Sequence, residues 1–305
     1  MRRFPDAISS PASSRRLHAL WLSALIASLS LSAASVEPAA ITPRAPIVLF
    51  NGKDFSNFYT WIGASGPVDA NKKIQGREDP DRVFTVVDQI DGAPAIRISG
   101  QQWGGLITNE RYANYRLVTE YRWGNLTWGA RKNILRDSGI LLHCQGEEGN
   151  YKTDFTGAWM RSIECQIIEG GTGDMILVGG HERGSTERIS PSLKATVVPG
   201  KTHPLWSPNG TLTQFGRGPG TRVFWRDKDP DVENVTGARG QKDVEKPWGE
   251  WNRLELICEG ANVAFILNGV QVNGGQDGTF REGKLLFQSE GAEVFFRRIE
   301  LHPVK

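Results

Sequence analysis

The chain is short of the residues that most often carry metal and thiol chemistry. Its 305 residues include three cysteines and five histidines. Neither type clusters, and no CxxC or mixed His/Cys spacing of a zinc site occurs, so a metal is not expected among the site residues. Cys144, Cys165 and Cys258 each sit inside an apolar, strand-like run and read as buried thiols. A Cys144–Cys165 bridge is the alternative in an oxidising compartment. An excess of one charge is missing too, with 36 Lys and Arg against 34 Asp and Glu. Neither a nucleic acid nor an anionic membrane surface gains from such a balance, and neither is expected as a partner. Sustained 3.6-residue apolar periodicity is absent, which argues against long helices. Gly170-Gly171-Thr172-Gly173 lacks phosphate-loop spacing and precedes no helical pattern, so it is read as a turn. No Ser–His–Asp grouping or nucleophile elbow stands out.

One long apolar run is present, and it lies at the amino end. Arg2, Arg3, Arg15 and Arg16 precede Leu17–Leu31, and Ser32-Ala33-Ala34 follows as a small-x-small cleavage pattern. That order is expected of a signal peptide over residues 1–34, because the apolar core is too short for a membrane span. The expected localisation is therefore export, to a periplasm or the medium, with no membrane span in the mature chain. Without those residues 32 basic and 33 acidic side chains remain, a net charge of −1. Residues 35–46, with Pro38, Pro43 and Pro46, read as a linker. Residues 47–305 then read as a single domain.

From there the pattern is β throughout. Strand signals occupy Arg82–Asp88, Ala95–Ser99, Tyr115–Trp123, Gly139–Cys144, Ile163–Ile168 and Met175–Val178. They recur at Arg222–Trp225, Arg253–Glu259, Val263–Leu267, Lys284–Ser289 and Val294–Leu301. Asn268-Gly269 is a strong hairpin turn, and Gly260-Ala261 marks another. An all-β sandwich of two antiparallel sheets is the economical architecture. Gly170–Trp248 is Gly-, Pro- and charge-rich and is expected to form ordered excursions over one sheet face.

Three groups of residues suggest chemistry. In Ser162–Glu169, alternation puts Glu164 and Gln166 on one strand face and Ile163, Cys165 and Ile167 on the other. Polar groups in so apolar a run need a partner or a use. A β-bulge near Ile167-Ile168 would bring Glu169 beside Glu164, giving the carboxylate pair of a retaining glycosidase. His143 and Gln145 share a face in the same way and would converge on the same floor, with His143 as an acid or base. Among the tryptophans, Trp103, Trp128, Trp159, Trp206 and Trp248 lie beside glycine or in loops and suit a sugar-binding edge. Trp123, Trp225 and Trp251 are expected in the core. Asp227, Asp229 and Asp231 offer oxygen ligands for a structural Ca²⁺ but lack the full loop spacing, so no cofactor is expected.

An ordered set of motifs resembles the bacterial 3-keto-disaccharide hydrolase family. It runs from Leu49-Phe50-Asn51-Gly52-Lys53-Asp54-Phe55 through Gly105-Leu106-Ile107-Thr108, Tyr112–Leu117, Asp137-Ser138-Gly139-Ile140 and Ile163–Ile168. Gly249–Arg253, Leu267–Val270 and Phe295–Ile299 complete it. The resemblance spans about residues 47–302 and implies a concanavalin A-like jelly-roll sandwich. It also implies action on glycosides already oxidised at sugar C3, an oligosaccharide or glycoside being the partner. Glu164, His143 and Glu290 are the implied proton-transfer groups. Gln166, Gln145, Glu169, Trp103, Trp159, Gln288 and Arg297 would bind substrate, with Gln166 or Arg297 donating to the developing enolate oxygen. Two positions depart from the family pattern. Gln288-Ser289-Glu290-Gly291 stands where Gln-Asp-His-Gly is common, and Asp137 replaces the usual Asn. A lectin-like, non-catalytic sandwich is the reading from a different class.

Overall fold

A computed structural model describes residues 38–216 and 221–304; the expected signal peptide lies outside the described residues. The first strands are β1 (Ile47–Val48), β2 (Phe58–Ile62), β3 (Phe84–Ile90), β4 (Ala93–Ile98), β5 (Gly104–Thr108), β6 (Tyr112–Ala113) and β7 (Tyr115–Thr127). They are followed by β8 (Asp137–Gln145), β9 (Arg161–Ile168), β10 (Met175–Val178), β11 (Leu193–Val198), β12 (Leu205–Trp206) and β13 (Thr211–Phe215). The last are β14 (Arg222–Val223), β15 (Asn252–Glu259), β16 (Asn262–Leu267), β17 (Val270–Gly275), β18 (Glu282–Ser289) and β19 (Ala292–Pro303). A single 3₁₀ turn, Gly129–Arg131, is the helical element among the described residues. No helix there is long and apolar enough to cross a membrane.

Two large antiparallel sheets pack face to face, as the strand pattern leads one to expect. The first has the order β17-β16-β15-β7-β19-β4-β3, with β1 on β19. The second runs β14-β10-β9-β8-β18-β5-β2, with β6 on β18. All eleven strands read from composition are present. A third, small sheet, β12-β11-β13, arises inside the expected excursion, with Leu193, Ala195 and Val197 of β11 buried in alternation with Lys194 and Thr196. Asn268 and Gly269 both have positive φ, 50° and 85°, as the tight hairpin between β16 and β17 requires. Ile41, within the stretch read as linker, is not free: it bridges Tyr112 and exchanges backbone hydrogen bonds with Arg111 and Ala113.

The core fills the space between the sheets. On β9 the odd positions Ile163, Cys165 and Ile167 enter it, and Ile140 and Leu142 do so from β8. Each such side chain contributes about 1.5–3 kcal/mol by leaving water. The even positions of β9 therefore face outward from the second sheet. A smaller apolar cluster of Ile107, Leu141, Cys144, Met160 and Leu286 lies on that outer face, covered by Tyr59, Trp61 and Trp159. Cys144 and Cys165 thus sit on opposite faces of one sheet. They are free thiols, as is Cys258, and the bridge alternative is ruled out by that geometry.

Candidate active site

The outer face of the second sheet carries a cleft of about 500 Å³. Its floor comes from three adjacent strands. Gln166 of β9 lies opposite Gly139 of β8, and Asp137 lies opposite Ile168. Phe287 of β18 pairs with Ile140, which brings Gln288 and Glu290 to the same end of the floor. Beyond β9, Ile176 of β10 pairs with both Glu164 and Arg222. Tyr151, Trp159, Val178, Arg188, Ser190 and Thr221 form the walls. Cross-strand register, not sequence proximity, assembles the group.

Gly139 makes the close approach possible. A Cβ there would stand 2.5 Å from Gln288 Oε1 and 2.6 Å from Glu164 Oε1. Gly291 serves the other end. Its φ is +86°, and a Cβ would meet the Arg131 side chain at 2.7 Å. Arg131 thereby lies against the turn and pairs with Asp137, with Glu290 3.8 Å away.

Three carboxyl groups, Asp137, Glu164 and Glu290, share this space. Burial, then the neighbouring Asp137, pushes Glu164 up to about 8, against the opposing pull of Arg222 and Gln288. Glu290 is raised well above the usual carboxylate range by burial and by Asp137 and Glu164. Asp137 is raised by burial, which outweighs Arg131, its Gln166 hydrogen bond and Arg222. Glu164 and Glu290 therefore favour their protonated forms at neutral pH, while Asp137 is paired with Arg131. Gln166 Nε2 donates to Asp137 at 2.6 Å, and Arg222 donates to Gln166 Oε1 at 3.1 Å. Gln288 Oε1 is buried with no partner.

Glu164, Gln166, Gln288, Glu290 and Trp159 are brought together as the sequence suggested. Trp103 stands behind Trp159, ring centroids 6.1 Å apart, and Tyr151 meets Trp159 edge-on at 5.4 Å. Other expectations need correction. His143 does not share the floor. A register shift between Leu142 and Gln145 turns Leu142 and His143 both to the core, where His143 packs edge-on against Tyr115 at 5.7 Å. Its Nδ1–H donates to the Phe280 carbonyl, and burial lowers its value to about 4. Gln145, past the bulge, donates to the Glu282 carbonyl instead of entering the cleft. No register shift occurs at Ile167-Ile168, so Glu169 is not returned to Glu164. Both its oxygens are taken, by the Arg136 guanidinium at 2.6 Å and by the amides of Arg136 and Gly237.

Arg297 lies on β19 in the first sheet, paired with Glu120 at 2.7 Å and stacked 4.0 Å over Trp251. It cannot reach the cleft, and Trp251 is a surface ring, not a core one. Trp206, read as a site-edge candidate, is buried, whereas Trp123 and Trp225 are in the core as expected. Trp128 donates to the Ser99 carbonyl, and the exposed Trp248 to that of Gly124, both away from the cleft lining. Asp227 and Asp231 are engaged by Arg226 and Lys201, and Asp229 caps the Asp231 amide. Among the described residues no acidic, His or Cys group is arranged to hold a metal ion.

Sequence reasoning missed Arg222, Arg131, Tyr151, Arg188 and Asp174, and it noted Asp137 only as a departure. Arg222 had a detectable signal. It opens a strand-like run in which Arg222 and Phe224 alternate with Val223 and Trp225. Nothing local shows that this run pairs with β10.

Two packed antiparallel sheets, with carboxyl, amide and guanidinium groups gathered beside aromatic rings on one outer face, define a β-sandwich protein with a polar cleft. The chain belongs to the family of 3-keto-alpha-glucoside-1,2-lyase-like domains, matched over residues 45–302. Similar solved structures include a candidate glycosyl hydrolase from Parabacteroides distasonis (17% identity, TM-score 0.45, 86% of this chain and 94% of that one). A galectin-like protein of unknown function from Bacillus subtilis aligns at 10% identity and TM-score 0.43, over 87% and 97% of the two chains. Bacillus licheniformis β-glucanase aligns at 7% identity and TM-score 0.38, over 86% and 99%. No curated protein matches the chain.

Proposed function

We propose that the protein cleaves glycosides bearing a ketone at sugar C3, with Glu164 as the base that removes the C2 proton. One observation carries the reading. Glu164 is a buried carboxyl pushed up to about 8, held in a cleft beside Gln166 and Arg222. A carboxylate of that basicity is stronger than an ordinary one, yet enough of it is ionised near neutral pH to work.

The chemistry balances without an oxidant. The C3 ketone acidifies the C2–H bond, and Glu164 takes the proton while the electron pair becomes an enolate. Arg222 donates to the C3 oxygen, a role that the family resemblance assigned to Gln166 or Arg297. The enolate then re-forms the ketone, making a C1–C2 double bond as the C1–O bond breaks. Glu290, which holds a proton at neutral pH, passes it to the departing oxygen. Stopping there is a lyase reaction. Adding water to C1, with the proton returned to C2, completes hydrolysis. The retaining-glycosidase reading has no support, because Arg136 and two amides occupy Glu169. Export to a periplasm or the medium is supported by the order of charged, apolar and small residues over 1–34.

The test is incubation with 3-keto-glucosides and matched unoxidised glucosides, following release of the aglycone. Release from the keto substrates alone is expected, with solvent deuterium appearing at C2 of a hydrolysed product. Glu164→Gln should lower turnover by about 10²–10⁴-fold. Because the base must be ionised, kcat/KM should rise tenfold per pH unit below about 8 and then level. A rate that instead falls through that pH makes Glu164 the acid. Undiminished turnover by Glu164→Gln removes it from the chemistry, and binding without turnover points to a lectin-like module.

A further inference from the structure

Arg222 stands among three cleft carboxyls, yet its ion pair is made elsewhere. Its Nη2 donates to Asp174 Oδ2 at 2.7 Å. Asp174 is fully buried and closes the turn that follows β9. The same Oδ2 accepts from Lys228 at 2.6 Å, and Oδ1 accepts the Trp225 amide at 2.9 Å. Its backbone carbonyl takes the Gln166 amide at 2.9 Å. One residue thus anchors both Arg222, by side chain, and Gln166, by main chain, and those two side chains meet at 3.1 Å. Asn273 fastens the turn further by donating to the carbonyls of Gly173 and Val223.

A free guanidinium at this place would turn to the nearest carboxylate. We infer that Asp174 is a positioning residue that holds Arg222 away from Glu164 and Asp137, leaving Glu164 without a salt-bridge partner and able to exchange a proton with substrate. The inference rests on the proposed role of Glu164. Glu164 is faced by Asp137 on β8, by Gln288 and Glu290 at the end of β18, and by Arg222 on β14. Arg131 reaches the cluster from the 3₁₀ turn, and Asp174 with Lys228 lies behind Arg222. Arg131 already serves Asp137, and Arg188 on the cleft wall lies 5.0 Å over the Tyr151 ring and donates to the Tyr151 carbonyl, so Arg222 is the cation whose placement decides whether Glu164 is paired.

The experiment titrates Glu164 by ¹³C NMR of its side-chain carboxyl carbon, assigned with Glu164→Gln, and needs no substrate. Asp174→Asn keeps the size of the side chain and removes its charge. Arg222 should then pair with a cleft carboxyl, and the Glu164 midpoint should fall by about one to three units. The acid limb of kcat/KM should move with it. An unchanged midpoint in a folded Asp174→Asn protein overturns the inference. In an Arg222→Met background the same substitution should shift the midpoint by less than half as much. An equal shift in both backgrounds shows a direct charge effect and overturns positioning. Should the half-buried Lys228, left alone, prevent folding, Asp174→Asn combined with Lys228→Met removes both charges and carries the same expectation. A wild-type protein inert toward 3-keto-glycosides refutes the proposed function, while the titration still decides the role of Asp174.

Discussion

Replacing Gly139 by alanine separates chemistry from folding more cleanly than changing any charged residue. The added Cβ would stand 2.5 Å from Gln288 Oε1 and 2.6 Å from Glu164 Oε1, where ordinary contact begins at 3.4 Å. The two oxygens must retreat by about 0.9 and 0.8 Å, the differences between those distances. Both are ends of side chains and can move, so the backbone need not. Alanine also narrows the unfolded ensemble, which favours folding by about 0.4–1 kcal/mol where the backbone fits. The expected net change in stability is within about 1 kcal/mol of zero. Activity should respond differently, since misplacing a reacting group by about 1 Å lowers rate on the order of 100-fold. The assay is turnover of a 3-keto-glucoside beside a denaturant melt of the same preparation. Wild-type turnover by a folded Gly139→Ala protein would refute the claim that this approach positions the reacting carboxyl.

Three further outcomes follow from placements the sequence did not show. Arg297→Met should leave kcat and KM unchanged and lower stability by no more than about 1 kcal/mol, as for other partly exposed pairs; steady-state kinetics checks it. Glu169→Gln should destabilise by about 3–5 kcal/mol, because it strands the buried Arg136 guanidinium, and chemical denaturation reads this directly. His143 is held neutral with its value lowered from 6.5 to about 4, so protonation favours the unfolded chain. Its contribution is complete above pH 6.5 and fades as pH falls toward 4, by about 3 kcal/mol in all. Unfolding free energies at pH 7.5 and 4 should differ less in His143→Gln than in the wild type.

The sandwich was legible because alternation on β9 and β15 is strict and the turns carry Asn-Gly and Gly signals. The face of Glu164 and Gln166 was legible for the same reason. His143 was not, since parity holds only until a bulge intervenes, and no residue near Leu142–Gln145 advertises one. Arg222 and Asp174 escaped for another cause. Arg222 reaches the cleft through pairing of β10 with β14, and Asp174 lies behind it in a short turn; long-range register of this kind is not encoded locally. Arg297 was misplaced because its family motif identifies a strand but not which of two sheets contains it.

Alternation on β9 has a consequence for how such a protein can change. Ile163, Cys165 and Ile167 answer to the packing between sheets, while Glu164, Gln166 and Ile168 answer to whatever occupies the cleft. The two sets interleave in sequence but are separable in selection. New specificity can be explored at every second residue, by mutation or by library, without reopening the question of whether the domain folds.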